Sequence, residues 1–565
     1  MINIKIDGRE YSFNEEISIL EAAKSVGMYI PSLCFLKDIN KNASCRICLV
    51  ESRGKLLPAC STHIWDGLEI QTNTKQVRET RKTILQLIAA DHNFECGTCI
   101  RNGNCELKNL CELYNIRDEY FDKNKRTLRK DNSSVSLVRD ENKCIKCGRC
   151  VAVCKEQQQV GILTYAHRAE EFRITTSFNK MLNEAGCISC GQCAKVCPVG
   201  AIYEKESIDE FWEAVDDSHK HVVVQIAPAV RVSIAEEFNL EIDDISPKLV
   251  TILKNMGVDR VFDTNFAADL TIMEETNELI QRINNNGVLP LMTSCSPGWV
   301  NYVEKYYPEF IPNLSSCKSP QQMFGAIAKS YYSDKVDIEP KDITVVSIMP
   351  CTAKKYEANR DEFANNGIKD VDIVLTTREF IRLIKQSGMN LSFIEDSNYD
   401  DPLGNATGAG AIFGTSGGVM EAALRTAYEK LTNSELKELD FLDVRGDGTF
   451  KEASVNINET EVKVAVVNGI QNMGELLENI NQGEKYCFIE VMCCPGGCIG
   501  GGGQPYDTSK ETLKKRMKSM YKIDKNKELR KSHMNPSIKE LYDKFLGEPG
   551  SHKAEKLLHT FYSKK

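Results

Sequence analysis

Two cysteine runs share one spacing. Cys144, Cys147, Cys150 and Cys154 stand as C-x2-C-x2-C-x3-C, and Cys187, Cys190, Cys193 and Cys197 repeat the pattern before Pro198. This is the spacing of paired [4Fe–4S] sites, in which the fourth cysteine of each run ligates the other cluster. One cluster is therefore expected on Cys144, Cys147, Cys150 and Cys197, and the other on Cys187, Cys190, Cys193 and Cys154. The exchange ties the two halves together around two inorganic cores. It also holds the clusters near one another, which electron transfer needs.

Sixteen of the 23 cysteines precede residue 200, almost all in short-spaced clusters. The N-terminus, Met1-Ile-Asn-Ile-Lys-Ile-Asp7, alternates like a strand and has no signal-peptide core. Metal ligation is then favoured over disulfides, and a cytoplasmic location is expected. Lys5-Ile-Asp-Gly-Arg9 predicts a hairpin turn, and Ser18 with Glu21 predicts a capped helix over 18–26. Cys34, Cys45, Cys48 and Cys60 suit a [2Fe–2S] cluster, although ten residues separate the first two, unlike plant-type spacing. His92-x3-Cys96-x2-Cys99-x5-Cys105 suits a [4Fe–4S] cluster with one neutral imidazole ligand, which should alter its potential. Zinc is the alternative at both sites. Cys111 is left over and reads as a core thiol.

The chain has 565 residues and a net charge of -9 without a long basic run, which argues for several domains and against nucleic acid as partner. Its apolar runs are too short to span a bilayer, so no membrane association is expected. From about 209 to 510, short apolar runs alternate with helical stretches: His221–Pro228, Val288–Cys295, Ile343–Cys351 and Val462–Gly469 read as strands. Such runs argue for parallel sheet covered on both faces. Sites in these sheets lie beyond the carboxyl ends of the strands. Cys295, Cys351 and Cys494 each stand at such an end, so three loops can converge on one centre. The last of these loops, Glu490–Pro505, holds Cys494 and Cys498 among glycines that permit close approach and positive φ. A glycine-rich stretch, Thr407–Gly418, leads into a helix and lacks a phosphate-loop lysine. What remains of it is a helix N-terminus facing an anion. The tail from about 511 reads as a charged, solvated helical wrap.

Three motifs carry a resemblance: Thr293-Ser-Cys-Ser-Pro-Gly-Trp299, Met349-Pro-Cys-Thr-Ala-Lys-Lys-Tyr-Glu357 and Glu490–Pro505. They resemble the three signature loops of [FeFe]-hydrogenases. The N-terminal modules resemble those shared by complex I large subunits and several hydrogenases, so the match covers nearly the whole chain, in the manner of large monomeric clostridial enzymes. The resemblance implies a multidomain α+β and α/β protein, with ferredoxin-like N-terminal modules and an α/β catalytic domain whose parallel sheets surround the active-site cluster. Its expected divisions are 1–78, 79–125, 126–208, 209–510 and 511–565. It implies one [2Fe–2S] and three accessory [4Fe–4S] clusters. It further implies a [4Fe–4S] cubane joined to a two-iron unit with CO, cyanide and a bridging dithiolate.

By position in the family, Cys351, Cys494 and Cys498 would hold the cubane, with Cys498 bridging. Lys354 would bond a cyanide. Met349, Met492, Pro320, Gln321, Phe413 and Gly414 would line the cavity. Glu275, Glu278, Arg282 and Ser315 match a proton route, although helical spacing alone would make the three charged residues ordinary surface. The implied activity is reversible proton reduction to H2, with ferredoxin or a similar one-electron carrier as partner. Maturation proteins would supply the two-iron unit, and the chain would act as a monomer. No flavin or NAD motif is evident. A hydrogen sensor or slow, biased enzyme is one alternative; an electron-transfer subunit of a complex I-like or formate dehydrogenase assembly is another, which the three loops oppose.

One departure stands out. The family has Thr-Ser-Cys-Cys-Pro, whose first cysteine relays protons and whose second ligates the cubane; this chain has Cys295 and then Ser296. In register, which Pro297 supports, Cys295 keeps the relay, and the cubane takes Ser296 or borrows Cys317 or Cys493. In the alternative, Cys295 turns inward as ligand and Ser296 is left at the relay. The preference of iron–sulfur clusters for thiolate favours the alternative.

Overall fold

The computed structural model describes residues 1–117, 121, 127–457, 460–506 and 509–565. The expected division at 125/126 lies outside them. The chain forms two compact units, one of residues 1–185 with 196–203 and one of 186–195 with 204–565.

In the first unit, strands Ile2–Ile6 and Arg9–Phe13 pair antiparallel. The turn residues Asp7 and Gly8 both have positive φ, 47° and 81°, as a two-residue type I′ hairpin requires. Leu68–Ile70 joins the first strand in parallel. The helix Ile19–Ser25 begins at Ser18 with a full capping box to Glu21, so two orphan N-terminal groups are satisfied reciprocally. Its inner face buries Ile19, Ala22 and Ala23 with Ile4, Ile6 and Val50. A longer helix, Lys75–Asp91, stops at His92.

The second unit is built on two four-stranded sheets. In one, Arg260–Asp263, His221–Ile226, Ile343–Met349 and Ile373–Thr376 lie side by side, all parallel. In the other, Leu291–Met292, Phe488–Met492 and Thr460–Asn468 are parallel, and Phe450–Ile457 closes the edge antiparallel. Val222, Val223, Val224 and Ile226 are all buried. That continuous apolar run is the mark of a strand covered on both faces, and each such side chain contributes on the order of 2 kcal/mol. The run Val288–Cys295 yields much less strand than its composition predicts, because only Leu291–Met292 pairs. Pro290 has no N–H for a ladder.

The tail also departs from expectation. Helices Lys510–Asn526, Pro536–Leu541 and His552–Leu558 are present, with the break at Gly547–Gly550. They are not merely solvated: Arg516 and Asp524 are buried. Arg516 donates to the Ile499 carbonyl at 3.0 Å, and Asp524 accepts from Arg425 at 2.8 Å. Composition cannot distinguish a charge paired inside from one left in water. Among the described residues, no helix is long and apolar enough to cross a membrane.

Candidate metal centre

The carboxyl ends of strands from both sheets meet at one cavity of about 90 Å³. Met349 ends its strand and delivers Pro350 and Cys351; Met492 ends another and delivers Cys493 and Cys494. Cys295 and Ser296 follow the short strand Leu291–Met292, and Cys498 comes from the glycine-rich loop. Pro320, Gln321, Lys354, Phe413 and Gly414 complete the predicted lining. Sequence reasoning missed Ala227, Pro228, Ala229 and Thr264, which also line it. The available signal was Pro228 just beyond the apolar strand His221–Ile226.

Glycines in the 496–503 loop serve close backbone packing. A Cβ at Gly501 would strike the Pro350 carbonyl oxygen, and one at Gly502 would strike that of Cys190. Gly497, at φ 83°, would also bring a Cβ onto the Ser416 backbone. These loops can interlock only without side chains there.

Phe413 and Gly414 of the glycine-rich stretch 407–418 line the cavity, but the helix N-terminus that follows is not aimed at a bound ligand. The helix Gly418–Thr432 points its N-terminus at the chain's own Glu490. The Glu490 carboxylate accepts from Gly417 N at 2.6 Å and Met420 N at 2.7 Å. The anion that the helix faces is therefore internal, and the helix dipole favours it.

Lys354 is held by Glu357 at 2.9 Å and by Ser319 at 2.8 Å, and it donates to the Cys295 carbonyl at 3.2 Å. Glu357 also accepts from Gln321 Nε2 at 3.0 Å, while Gln321 Oε1 is buried with no protein partner. The Cys494 thiol is drawn down to about 7 by contact with the Cys493 thiol, against burial, and Gln192, Lys195 and Gly502 N also lower it. Cys498 is pushed up to about 11 by burial. Thiols, an ammonium and an orphaned amide oxygen around one buried space are the donor set that an iron–sulfur centre with small polar ligands takes. The residues present fit such a group.

From the cavity, a line of polar groups runs along the helix Thr264–Asn284. Burial, and then the neighbouring Glu275, push the Cys295 thiol well above its ordinary range. Glu275 is buried, and burial, then Glu278, raise its carboxyl to about 8. Ser315 lies against Glu275 and donates to Glu278 at 2.8 Å. Glu278 pairs with Arg282 at 2.7 Å, where the side chain is 17% exposed. The helical spacing that suggested ordinary surface charge is thus overruled by burial of Glu275.

The first unit gathers its own ligands. Cys34, Cys45, Cys48 and Cys60 are all buried. The Cys34 thiol touches those of Cys45 and Cys60, and Cys48 touches Cys60. His92 is buried with Nδ1 unpartnered, and burial lowers its pKa to about 4. The imidazole is therefore neutral at pH 7, the form that binds metal. Cys96, Cys99 and Cys105 lie near one another, and Cys111 is a buried thiol beside them. Cys144, Cys147, Cys150 and Cys197 line one cavity of about 20 Å³. Of the other expected set, Cys154 belongs to the first unit and Cys187, Cys190 and Cys193 to the second.

Comparison with known proteins agrees with this geometry. Residues 220–502 match the family described as iron only hydrogenase large subunit, C-terminal domain, and 510–565 match iron hydrogenase small subunit. Residues 1–75 match a 2Fe-2S iron-sulfur cluster binding domain. Residues 81–119 match the NADH-ubiquinone oxidoreductase-G iron-sulfur binding region, and 143–201 a 4Fe-4S dicluster domain. The chain is 45% identical to the NADP-reducing hydrogenase subunit HndD of Solidesulfovibrio fructosivorans, covering 100% of this chain and 99% of that one. It is 43% identical to iron hydrogenase 1 of Clostridium pasteurianum, covering 100% of both. The apo [FeFe]-hydrogenase HydA1 structure from Chlamydomonas reinhardtii matches with a TM-score of 0.58 and 43% identity, over 64% of this chain and 99% of that one. A thiol-lined cavity at the strand ends, preceded by iron–sulfur domains, and two relatives matched over their full length lead to one conclusion: the chain belongs to the iron-only, or [FeFe], hydrogenases and is an iron hydrogenase.

Proposed function

We propose that this iron hydrogenase reversibly reduces protons to H2 with electrons from ferredoxin or a similar one-electron carrier. The observation that carries the reading is the junction of a thiol-lined cavity with the Cys295, Glu275, Ser315, Glu278 and Arg282 line. When bound, the two-iron unit and its cubane supply the redox centre at which two electrons and two protons become H2. Cys351, Cys494 and Cys498 would anchor that group. Lys354 would donate to its anionic ligands, and Met349, Met492, Phe413 and Gly414 would keep water from it. Glu275, protonated at neutral pH, would hold a proton between Cys295 and Ser315, and Glu278 beside Arg282 would exchange it with solvent.

The accessory set in this reading is one [2Fe–2S] and three [4Fe–4S] clusters on the cysteine sets above and His92. The working divisions are 1–78, 79–125, 126–208, 209–510 and 511–565. A cytoplasmic monomer that depends on maturation proteins completes it. A second reading is favoured by the full-length identity to a subunit of an NADP-reducing hydrogenase: electrons would pass to a pyridine-nucleotide-binding partner. The test is H2 turnover by the matured chain with reduced ferredoxin and, separately, with NADPH. Ferredoxin-driven evolution by the chain alone supports the first reading. Evolution only from NADPH, and only with a partner subunit, supports the second. No H2 turnover from ferredoxin, NADPH or a small viologen donor would sink both.

A further inference from the structure

Five thiols line the large cavity, those of Cys295, Cys351, Cys493, Cys494 and Cys498, and a [4Fe–4S] cluster takes four. Their neighbours separate them. Cys351 is close to Cys494 and Cys498, and Cys498 is close to Cys494. The Cys493 thiol touches the Cys494 thiol directly. Cys295 shares Lys354 and Cys498 with these thiols but adds the Glu275 carboxyl. Its neighbours are Glu275, Cys498, Lys354 and Glu490, and it packs on the apolar cluster of Phe413 and Met492. It sits at the mouth of the carboxylate line.

Position 296 holds a hydroxyl where a thiol would complete the set, and its Oγ accepts from the backbone N–H of Cys493 at 3.4 Å. The loop short of a thiol is therefore in contact with the loop that has an extra one. Gly298, two residues on, leaves room for that thiol, because a Cβ there would sit 2.7 Å from Cys493 Sγ.

We infer that Cys493, rather than Cys295 or Ser296, supplies the fourth thiolate of the [4Fe–4S] cluster in this cavity, beside Cys351, Cys494 and Cys498. The inference rests on the hydrogenase reading above. It leaves Cys295 free to face Glu275. It also gives Cys493 a second role, since its thiol touches Cys190, a proposed ligand of an accessory cluster. Electrons leaving that cluster would meet the cubane at this side chain.

The test uses the full chain, reconstituted anaerobically with iron and sulfide but without the two-iron unit, so that turnover plays no part. Iron per chain and the EPR spectrum are read for Cys493→Ala, Cys295→Ala and the double variant Cys493→Ala with Ser296→Cys. Cys493→Ala is expected to lose up to about four irons, or to change the cubane signal, with the other clusters intact. Cys295→Ala is expected to keep both, and the double variant to recover them. Cys493→Ser, which preserves shape, should retain the fold and shift only the cubane signal. An unchanged cubane in both Cys493→Ala and Cys493→Ser would overturn the inference. So would loss of the cubane in Cys295→Ala, or damage in Cys493→Ala confined to an accessory cluster. The hydrogenase reading fails separately, by absence of H2 turnover in fully matured wild-type protein that carries the two-iron unit and whose cubane signal is normal.

Discussion

The Ser315 hydroxyl donates to Glu278 Oε2 at 2.8 Å and lies against the buried Glu275. One rotatable hydroxyl thus joins two carboxyl groups that occupy different environments. Glu275 is held neutral by burial, while Glu278 is paired with Arg282. In the proposed route a proton would be stored at the first and released at the second.

Removing the storage site should slow turnover without disturbing the metal. Glu275→Gln and Ser315→Ala are each expected to lower H2 evolution by about 10²–10⁴-fold, the usual worth of a positioned proton-transfer group. Iron content and EPR spectra should match wild type. Full activity in both variants would remove this line from the mechanism.

Glu275 also makes a pH prediction for the fold. Its carboxyl is raised from 4.5 to about 8, so the folded chain binds a proton that the unfolded chain releases. This contribution to stability is present below pH 4.5 and is lost as pH rises through about 8. Thermal scans from pH 5 to 9 should show a fall that Glu275→Gln flattens. A wild-type fall left unchanged by the substitution would assign it to other groups.

Glu490 should be structural. Glu490→Ala strips the partner from the Gly417 and Met420 amides inside the core. Each unsatisfied group costs about 1–3 kcal/mol, so the melting temperature should drop, and Glu490→Gln should recover part of it. Equal stability of Glu490→Ala and wild type would refute the internal-anion role of this helix end.

The matured chain should carry about 20 irons and little zinc. His92→Cys is expected to retain iron and lower the potential of one [4Fe–4S] cluster, because a thiolate adds negative charge where the imidazole was neutral. Redox titration followed by EPR reads the shift. An unchanged set of potentials, or bound zinc replacing iron, would remove His92 from the ligand set.

The cysteine spacings in the N-terminal third, the hairpin at Asp7-Gly8, the Ser18 cap and the strand that leads to Cys351 were legible in the sequence alone. Each is a local rule: a turn, a cap or a short cysteine spacing needs only its neighbours in the chain. Tertiary structure decided the rest. Only packing shows that Glu275 is buried while Arg282 reaches water, that the helix at Gly418 caps Glu490, and that Arg516 and Asp524 turn inward. Only packing sets Ser296 against Cys493 across 197 residues of chain. The reason is physical: burial and partner choice come from surfaces meeting at long range, and no local spacing encodes which charge or thiol faces which neighbour.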